Sequence, residues 1–452
     1  MQLDHSPKKG KWAKVWTSSI ILFTFLLFIV AIAYSRTDVG PAAAAYDKNA
    51  AAAKAAGAVF TSEDARAIYG PINPDNGVPE MKDALAAFKP FERGTTEYTT
   101  TDEEFLSIWN RLSKEFDVIE RASKHQYFQF PRKLEDPFET QSPEISGWRY
   151  WRNAIFRRAE LAAKANDYDL AERAIWTLAR VTMALCDPST TVLTLKQTST
   201  TGTQRILAKF LTYRGNDPKW QALVSNVVIY MKRPYDLRPS MKLDHWEFIE
   251  YARQTFDPPK GTHEGEGDLS TLRLIPRFGK ANLSRVHEYF AKALTTYPKD
   301  VVDLEALRKW AQEMDRVSEK DGLELSYYLT SRLPERSYQV DGIIHQRAQW
   351  NVLEQALAIF AQKRNPALGL PLTGEKRMDS DGNPIRIKKL DKGWVVYSVG
   401  RNNVDDGADI KRGDDWIVHL TPGTLPPPPK VDSKKSGAPA GAPAQYVPRS
   451  SD

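Results

Sequence analysis

Cysteine is almost absent: Cys186 stands alone among 452 residues. No intramolecular disulfide can form, and a disulfide-stapled scaffold is excluded. Charge of one sign is also scarce, since 63 Lys+Arg against 57 Asp+Glu leave a formal +6. Met1–Lys14 carries +3 of it and Thr421–Asp452 carries +2, so the body is close to neutral. Nucleic-acid binding needs a concentrated basic face, because phosphate neutralisation supplies most of its non-specific affinity. No basic stripe interleaved with aromatics appears, and nucleic acid is excluded as a partner. Internal repeats are missing as well: nothing recurs at the roughly 34-residue period of tetratricopeptide units, which argues against a solenoid. There is no His-Glu-x-x-His spacing, no Gly-x-Ser-x-Gly elbow, no phosphate-binding loop and no dinucleotide fingerprint. The seven histidines, at 5, 125, 245, 263, 287, 345 and 419, are scattered and read as ordinary surface or core residues. Catalysis by a known class has no support in the residues.

What is present is a globular composition, 41% hydrophobic and 27% charged, of a length that suits two or three folded units of roughly 100–200 residues. From Val15 to Tyr34 twenty residues pass without a charge. At about 1.5 Å rise per residue that run would span the ~30 Å of a hydrocarbon core. Lys8, Lys9, Lys11 and Lys14 precede it, so the positive-inside rule puts the N-terminus in the cytoplasm and the body outside. The sequence thus predicts lipid bilayer contact through residues 15–34, with cleavage after Ala31-Ile32-Ala33 as the rival reading. The expected order is a cytoplasmic tip (1–14), a transmembrane helix (15–34), an Ala-rich tether and linker (35–100), a helical extracytoplasmic domain (101–365), a small β module (366–420) and a Pro-rich tail (421–452).

Within the tether, Ala42–Ala58 holds eleven alanines in seventeen positions and reads as a spacer. From Asp102, placed as an N-cap, Phe105, Ile108, Trp109, Leu112, Phe116 and Ile119 recur at steps of three and four and predict one amphipathic helix. Trp148–Ala165 and Tyr168–Leu185, joined at Asn166-Asp167, read as a helical hairpin. Further helices are expected near Thr191–Tyr213, Pro218–Lys232, Ser240–Phe256, Leu283–Tyr297, Asp303–Lys320, Leu323–Leu333 and Val340–Lys363, with prolines between them. Past Asn365-Pro366 the pattern turns to strands: Ile385–Leu390, Trp394–Val399 and Trp416–Val418 predict a small antiparallel sheet. The fold class expected is mainly α, with one N-terminal transmembrane helix, an irregular helical-hairpin domain and a C-terminal β module.

The stretch Tyr397-Ser398-Val399-Gly400-Arg401-Asn402-Asn403-Val404-Asp405-Asp406-Gly407, after an apolar strand and before Asp414-Asp415-Trp416, resembles the C-terminal module of type II secretion major pseudopilins. The resemblance implies a helix leading into a short sheet whose last loop wraps calcium, although Asn402 stands where that loop has an aspartate. The order of elements, with Thr373-Gly374, Tyr397–Gly400 and Cys186-Asp187-Pro188-Ser189, is also similar to a family of uncharacterised single-pass bacterial envelope proteins.

The candidate metal site is Asp405, Asp406, Asp409, Asp414 and Asp415, because Ca²⁺ takes six to eight oxygens and one loop can supply them. An ordinary solvated loop is the competing reading, since Arg401, Lys411 and Arg412 bring Arg401–Asp415 to a net −2. Asp379-Ser380-Asp381-Gly382 opens like an EF-hand loop, but Leu390 occupies its twelfth position and a turn is the better account. Cys186 is expected to be buried. Trp148, Tyr150 and Trp151 with Arg149 and Arg152 would either pack the core or line a groove for a sugar or a partner. The function expected is non-catalytic: scaffolding or binding of envelope protein partners by a membrane-anchored protein. An accessory component of a secretion or pilus machine and an envelope hydrolase with an unrecognised site are the alternatives.

Overall fold

Several helices in this chain begin at side chains that accept an otherwise unpaired amide. Thr101 accepts from Glu104 N while the Glu104 carboxylate takes the Thr101 amide, a reciprocal capping box. Asp167, Ser189 and Asp217 cap three later helices in the same way, the last with Pro218 in the first turn. The computed structural model describes residues 23–26, 44–91, 101–131, 143–256, 280–319, 336–362, 377–390, 393–400, 404–408 and 416–420. In chain order the elements are α1 (Tyr46–Ala55), α2 (Ser62–Tyr69), α3 (Val78–Ala86), α4 (Asp102–Arg111), α5 (Ser113–Ala122), α6 (Pro143–Ala165), α7 (Tyr168–Ala184), α8 (Thr190–Arg214) and α9 (Pro218–Met231). They continue with α10 (Arg238–Phe256), α11 (Lys280–Thr296), α12 (Leu304–Glu319), α13 (Arg336–Gln362), β1 (Arg386–Leu390), β2 (Gly393–Ser398) and β3 (Trp416–His419).

The architecture is mainly helical with a three-stranded antiparallel sheet in the order β1-β2-β3. Arg386 pairs with Tyr397 across the first ladder and Val395 with His419 across the second. α8 lies at the centre, against α6, α7, α9, α10, α13 and β3. Trp148, Trp151, Phe210 and Trp220 fill the main core around it. Trp148 meets Trp151 edge-on at 5.3 Å and Phe210 meets Trp220 at 5.1 Å. Full burial of a Phe or Leu side chain contributes about 1.5–3 kcal/mol, so this cluster anchors the fold. A second core, built from Met241, Phe290, Leu307, Trp310 and Met314, gathers α10, α11 and α12.

α13 joins the two cores. Its 27 residues span ~40 Å, with Val340 and Ile344 in the second core and Trp350, Leu353 and Ala356 in the main one. The sheet packs on α8 and α13 and lends Val396 and Val418 to the main core.

Several expectations change. Among the described residues no helix is long and apolar enough to cross a membrane. The transmembrane element of the fold class, the single-pass topology and the inner-membrane location are therefore not supported. Residues 23–26 are helical, and the remainder of 15–34 lies outside the described residues. The Ala-rich segment is no plain spacer: α1 packs along α11, Ala53 is fully buried, and Asn49 Nδ2 donates to Ser284 Oγ at 2.9 Å. Small alanines let the two helices approach closely. The helix expected from Asp102 through Ile119 is two helices, broken at Leu112, whose φ of −100° and ψ of 15° leave the helical well. Cys186 is exposed rather than buried, because α7 ends before it; its amide and its Sγ both reach Phe128 O, at 3.3 and 3.6 Å. The tip 1–14, the helix expected at 323–333 and the tail 421–452 lie outside the described residues.

Candidate functional site

A cleft of about 890 Å³ opens where α6, α8 and α13 face one another. Helical spacing builds its walls. From α8 come Thr194, Thr198, Thr201, Arg205 and Lys209; from α6 come Arg152, Phe156 and Glu160; from α13 come Gln339, Gly342 and Gln346. The volume falls in the range of small-molecule sites, roughly 300–1,000 Å³.

Four cations, Arg152, Arg157, Arg205 and Lys209, line the cleft against one carboxylate, Glu160. Arg157 is answered by Asp102 at 3.0 Å and lies over the Phe105 ring. Lys209 is ion-paired with Glu160, which also accepts the Tyr213 hydroxyl at 3.2 Å. Burial would raise the Glu160 pKa, but the ammonium groups of Lys209 and Lys164 outweigh it and hold the carboxyl below its usual range. Arg152 donates to Thr198 Oγ1 at 2.6 Å. Arg205 is exposed and has neither hydrogen-bond nor ion-pair partner among the described residues.

One end of the cleft holds two unsatisfied carboxamide atoms. Gln346, only 4% exposed, donates through Nε2 to Gln197 O at 2.7 Å and to Thr201 Oγ1 at 3.1 Å. These two bonds fix which end of the carboxamide is nitrogen. Its Oε1 then has no donor and Gln197 Nε2 has no acceptor among the described residues. Leaving such a group unpaired costs about 1–3 kcal/mol, and both atoms are buried behind the cleft wall.

Two glycines shape the space. Gly202 lets the Phe156 ring lie on α8, where an added Cβ would come within 2.0 Å of Phe156 Cζ. A Cβ at Gly342 would meet only Gln197 Oε1, at 3.9 Å, so a side chain there grows into the cleft.

The aromatic-basic start of α6 divides between the two roles foreseen for it. Trp148 and Trp151 are fully buried and belong to the core, while Arg152 reaches the cleft. The acidic residues of the C-terminal module serve Arg386. Its guanidinium binds Asp379 Oδ2 at 2.6 Å, Asp381 Oδ2 at 2.5 Å and Asp405 Oδ2 at 3.1 Å. Asp405 also accepts the Tyr397 hydroxyl at 3.1 Å. Burial would raise the Asp381 pKa, but hydrogen bonds from Arg386 and Asn383 prevail and bring it to about 2. Asp406 lies in the same loop; Asp409, Asp414 and Asp415 are outside the described residues. Among the described residues no group of three or more His, Cys, Asp or Glu side chains could hold a metal ion.

Two of the scattered histidines meet. His245 Nδ1 donates to Val59 O at 2.6 Å, which leaves its Nε2 to accept from His287 Nδ1 at 2.9 Å. Tyr46, Phe60 and Phe290 enclose the pair, and His287 Nε2 has no partner among the described residues. Burial pushes both imidazoles down to about 4. Forty-two residues separate them, and no spacing rule brings them together.

No family model, curated protein or solved structure matches this chain.

Proposed function

We propose that this chain is a non-catalytic binding protein whose helical body receives a small polar ligand in the cleft between α6, α8 and α13. The observation that carries the reading is the cleft itself: about 890 Å³ lined by four cations, Arg152, Arg157, Arg205 and Lys209, against the one carboxylate of Glu160. Arg152, Arg157 and Lys209 are engaged by Thr198, Asp102 and Glu160, whereas Arg205 is exposed and has no partner among the described residues, so its donors are open to a ligand. A carboxyl acting as general acid or base in this cleft would need to exchange a proton near neutrality. Glu160, the carboxylate in the lining, is shifted downward and engaged by Lys209, Lys164 and Tyr213.

Thermal melting of wild type and Gly342→Leu against a panel of polar metabolites tests this reading. A ligand that binds only the native state raises the melting temperature by mass action. The expected result is at least one compound that stabilises wild type and leaves Gly342→Leu unmoved, because leucine at 342 projects into the cleft. Equal shifts in both proteins would place binding elsewhere and overturn the proposal.

A further inference from the structure

A buried polar relay fastens the first helices to the body. Val59 O accepts from His245 Nδ1 at 2.6 Å, and His245 Nε2 then accepts from His287 Nδ1 at 2.9 Å. Both rings are buried, against Tyr46 and Phe60. Residues 46–69 lie on α10 and α11 here: Ala53 and Ala58 pack on Ala291, and Val59 and Ala65 pack on Leu243 and Trp246. We infer that these residues form a strap that acid releases, because a proton on the His245–His287 pair opens the strap while the body stays folded.

The relay is complete only when both rings are neutral. His245 Nδ1 is committed to Val59, so an added proton has two places to go. On His245 Nε2 it would face the His287 Nδ1 proton across 2.9 Å, donor against donor. On His287 Nε2 it would point at no acceptor among the described residues. The charges on the surrounding elements are directed elsewhere. On α1, Tyr46 lies on the His287 ring while Asp47, Lys48 and Lys54 are exposed; on α2, Glu63, Asp64 and Arg66 are exposed. On α10, Lys242 lies beside Gly57 and Asp244 accepts from Thr190 of α8 at 2.6 Å, with Glu247 and Glu250 further along. On α11, Arg285 and Glu288 flank His287 in sequence, and Lys292 pairs with Glu313 of α12. None of these charges shifts either ring: burial holds both imidazoles low, and at His245 it outweighs the Val59 carbonyl.

The strap is the part that yields. α10 and α11 are held together by Met241, Val286 and Phe290 of the second core. α1 has only ten residues, and helices shorter than ~12–15 residues are marginal alone. Its buried side chains are small, so its docking leans on the relay and on Asn49 Nδ2, which donates to Ser284 Oγ. Gln129 Nε2 donates to Tyr69 O at 2.8 Å, so the far end stays pinned when α1 lifts.

Hydrogen–deuterium exchange of the full chain at pH 7.5 and 5.0, corrected for intrinsic rates, tests the inference. Histidine is the side chain that titrates between these values. A ring that binds its proton near 6.5 when open and near about 4 when docked shifts the opening equilibrium by roughly thirtyfold at pH 5.0. Docking is therefore complete above about pH 6.5 and weakens as pH falls toward 4. Amides of α1 should lose roughly a hundredfold or more in protection, and at pH 5.0 those of α8 and α13 should stay about tenfold or more better protected than α1. His245→Gln combined with His287→Phe should cut the loss in α1 to under about threefold. Unchanged protection of α1, equal protection of α1, α8 and α13 at pH 5.0, or the full loss persisting in the double variant would overturn the inference. The wild-type comparison decides by itself if that variant does not fold.

Discussion

Arg386 and Arg205 are both arginines on regular elements, each among polar neighbours, yet they differ in what answers them. Around Arg386, Asp379, Asp381 and Asp405 take the whole guanidinium, and the Asp379 carboxylate is fully buried. Ser398 Oγ and Val399 N also donate to Asp379, so that charge is closed on itself and holds the turn to the sheet. Around Arg205, exposed on the cleft wall, nothing described closes the shell. A satisfied charge network is architecture, whereas an open one is capacity for a ligand.

The comparison breaks most visibly at Arg386. Arg386→Met should strand the buried Asp379 carboxylate and lower stability by about 3–5 kcal/mol in urea melts; a loss under 1 kcal/mol would mean that the network holds little. The buried histidine pair sharpens the contrast from a third side, as a polar contact that stays neutral. Its imidazoles fall from 6.5 to about 4 in the native state, so the unfolded chain binds protons that the native pair refuses. The resulting stability is complete above about pH 6.5, falls as pH drops toward 4, and the full loss is on the order of 3 kcal/mol per ring. Melting temperature against pH checks this, and His287→Phe should flatten the slope. Gly202→Ala should displace Phe156 from α8, at about 1–3 kcal/mol, and constrict the cleft. Gly342→Leu should instead be neutral or stabilising by up to about 1 kcal/mol, because an interior helical glycine is replaced where space is open. Arg205→Ala should leave stability within about 0.5 kcal/mol, as expected for a surface residue without partners.

Of the helices that carry the cleft, α8 has its start marked by Ser189, and its neighbours α7 and α9 are marked by Asp167 and Asp217. The three strands likewise followed from β-branched and aromatic runs. One wall of the site was also visible: Thr194, Thr198, Thr201, Arg205 and Lys209 recur at helical spacing on α8. Its meaning was not, since a polar stripe on one helix looks the same whether it meets water or two other helices. Gln346 lies 142 residues beyond Gln204, whose Nε2 it holds through its carbonyl, and no local pattern announces such a contact. The break at Leu112 escaped notice because apolar spacing continues across it, and the docking of α1 because alanine-rich helices carry little amphipathic signal. The long apolar run at 15–34 was weighed by composition alone, and the described residues contain no helix of membrane-spanning length and apolarity.

The most direct test of the open cleft is one titration in two proteins: the polar metabolite that most raises the wild-type melting temperature, against wild type and Gly342→Leu under the same buffer. The account predicts a saturating isotherm for wild type and none for the leucine variant, although that variant melts at the same temperature or higher. Equal affinities in two equally stable proteins would contradict it.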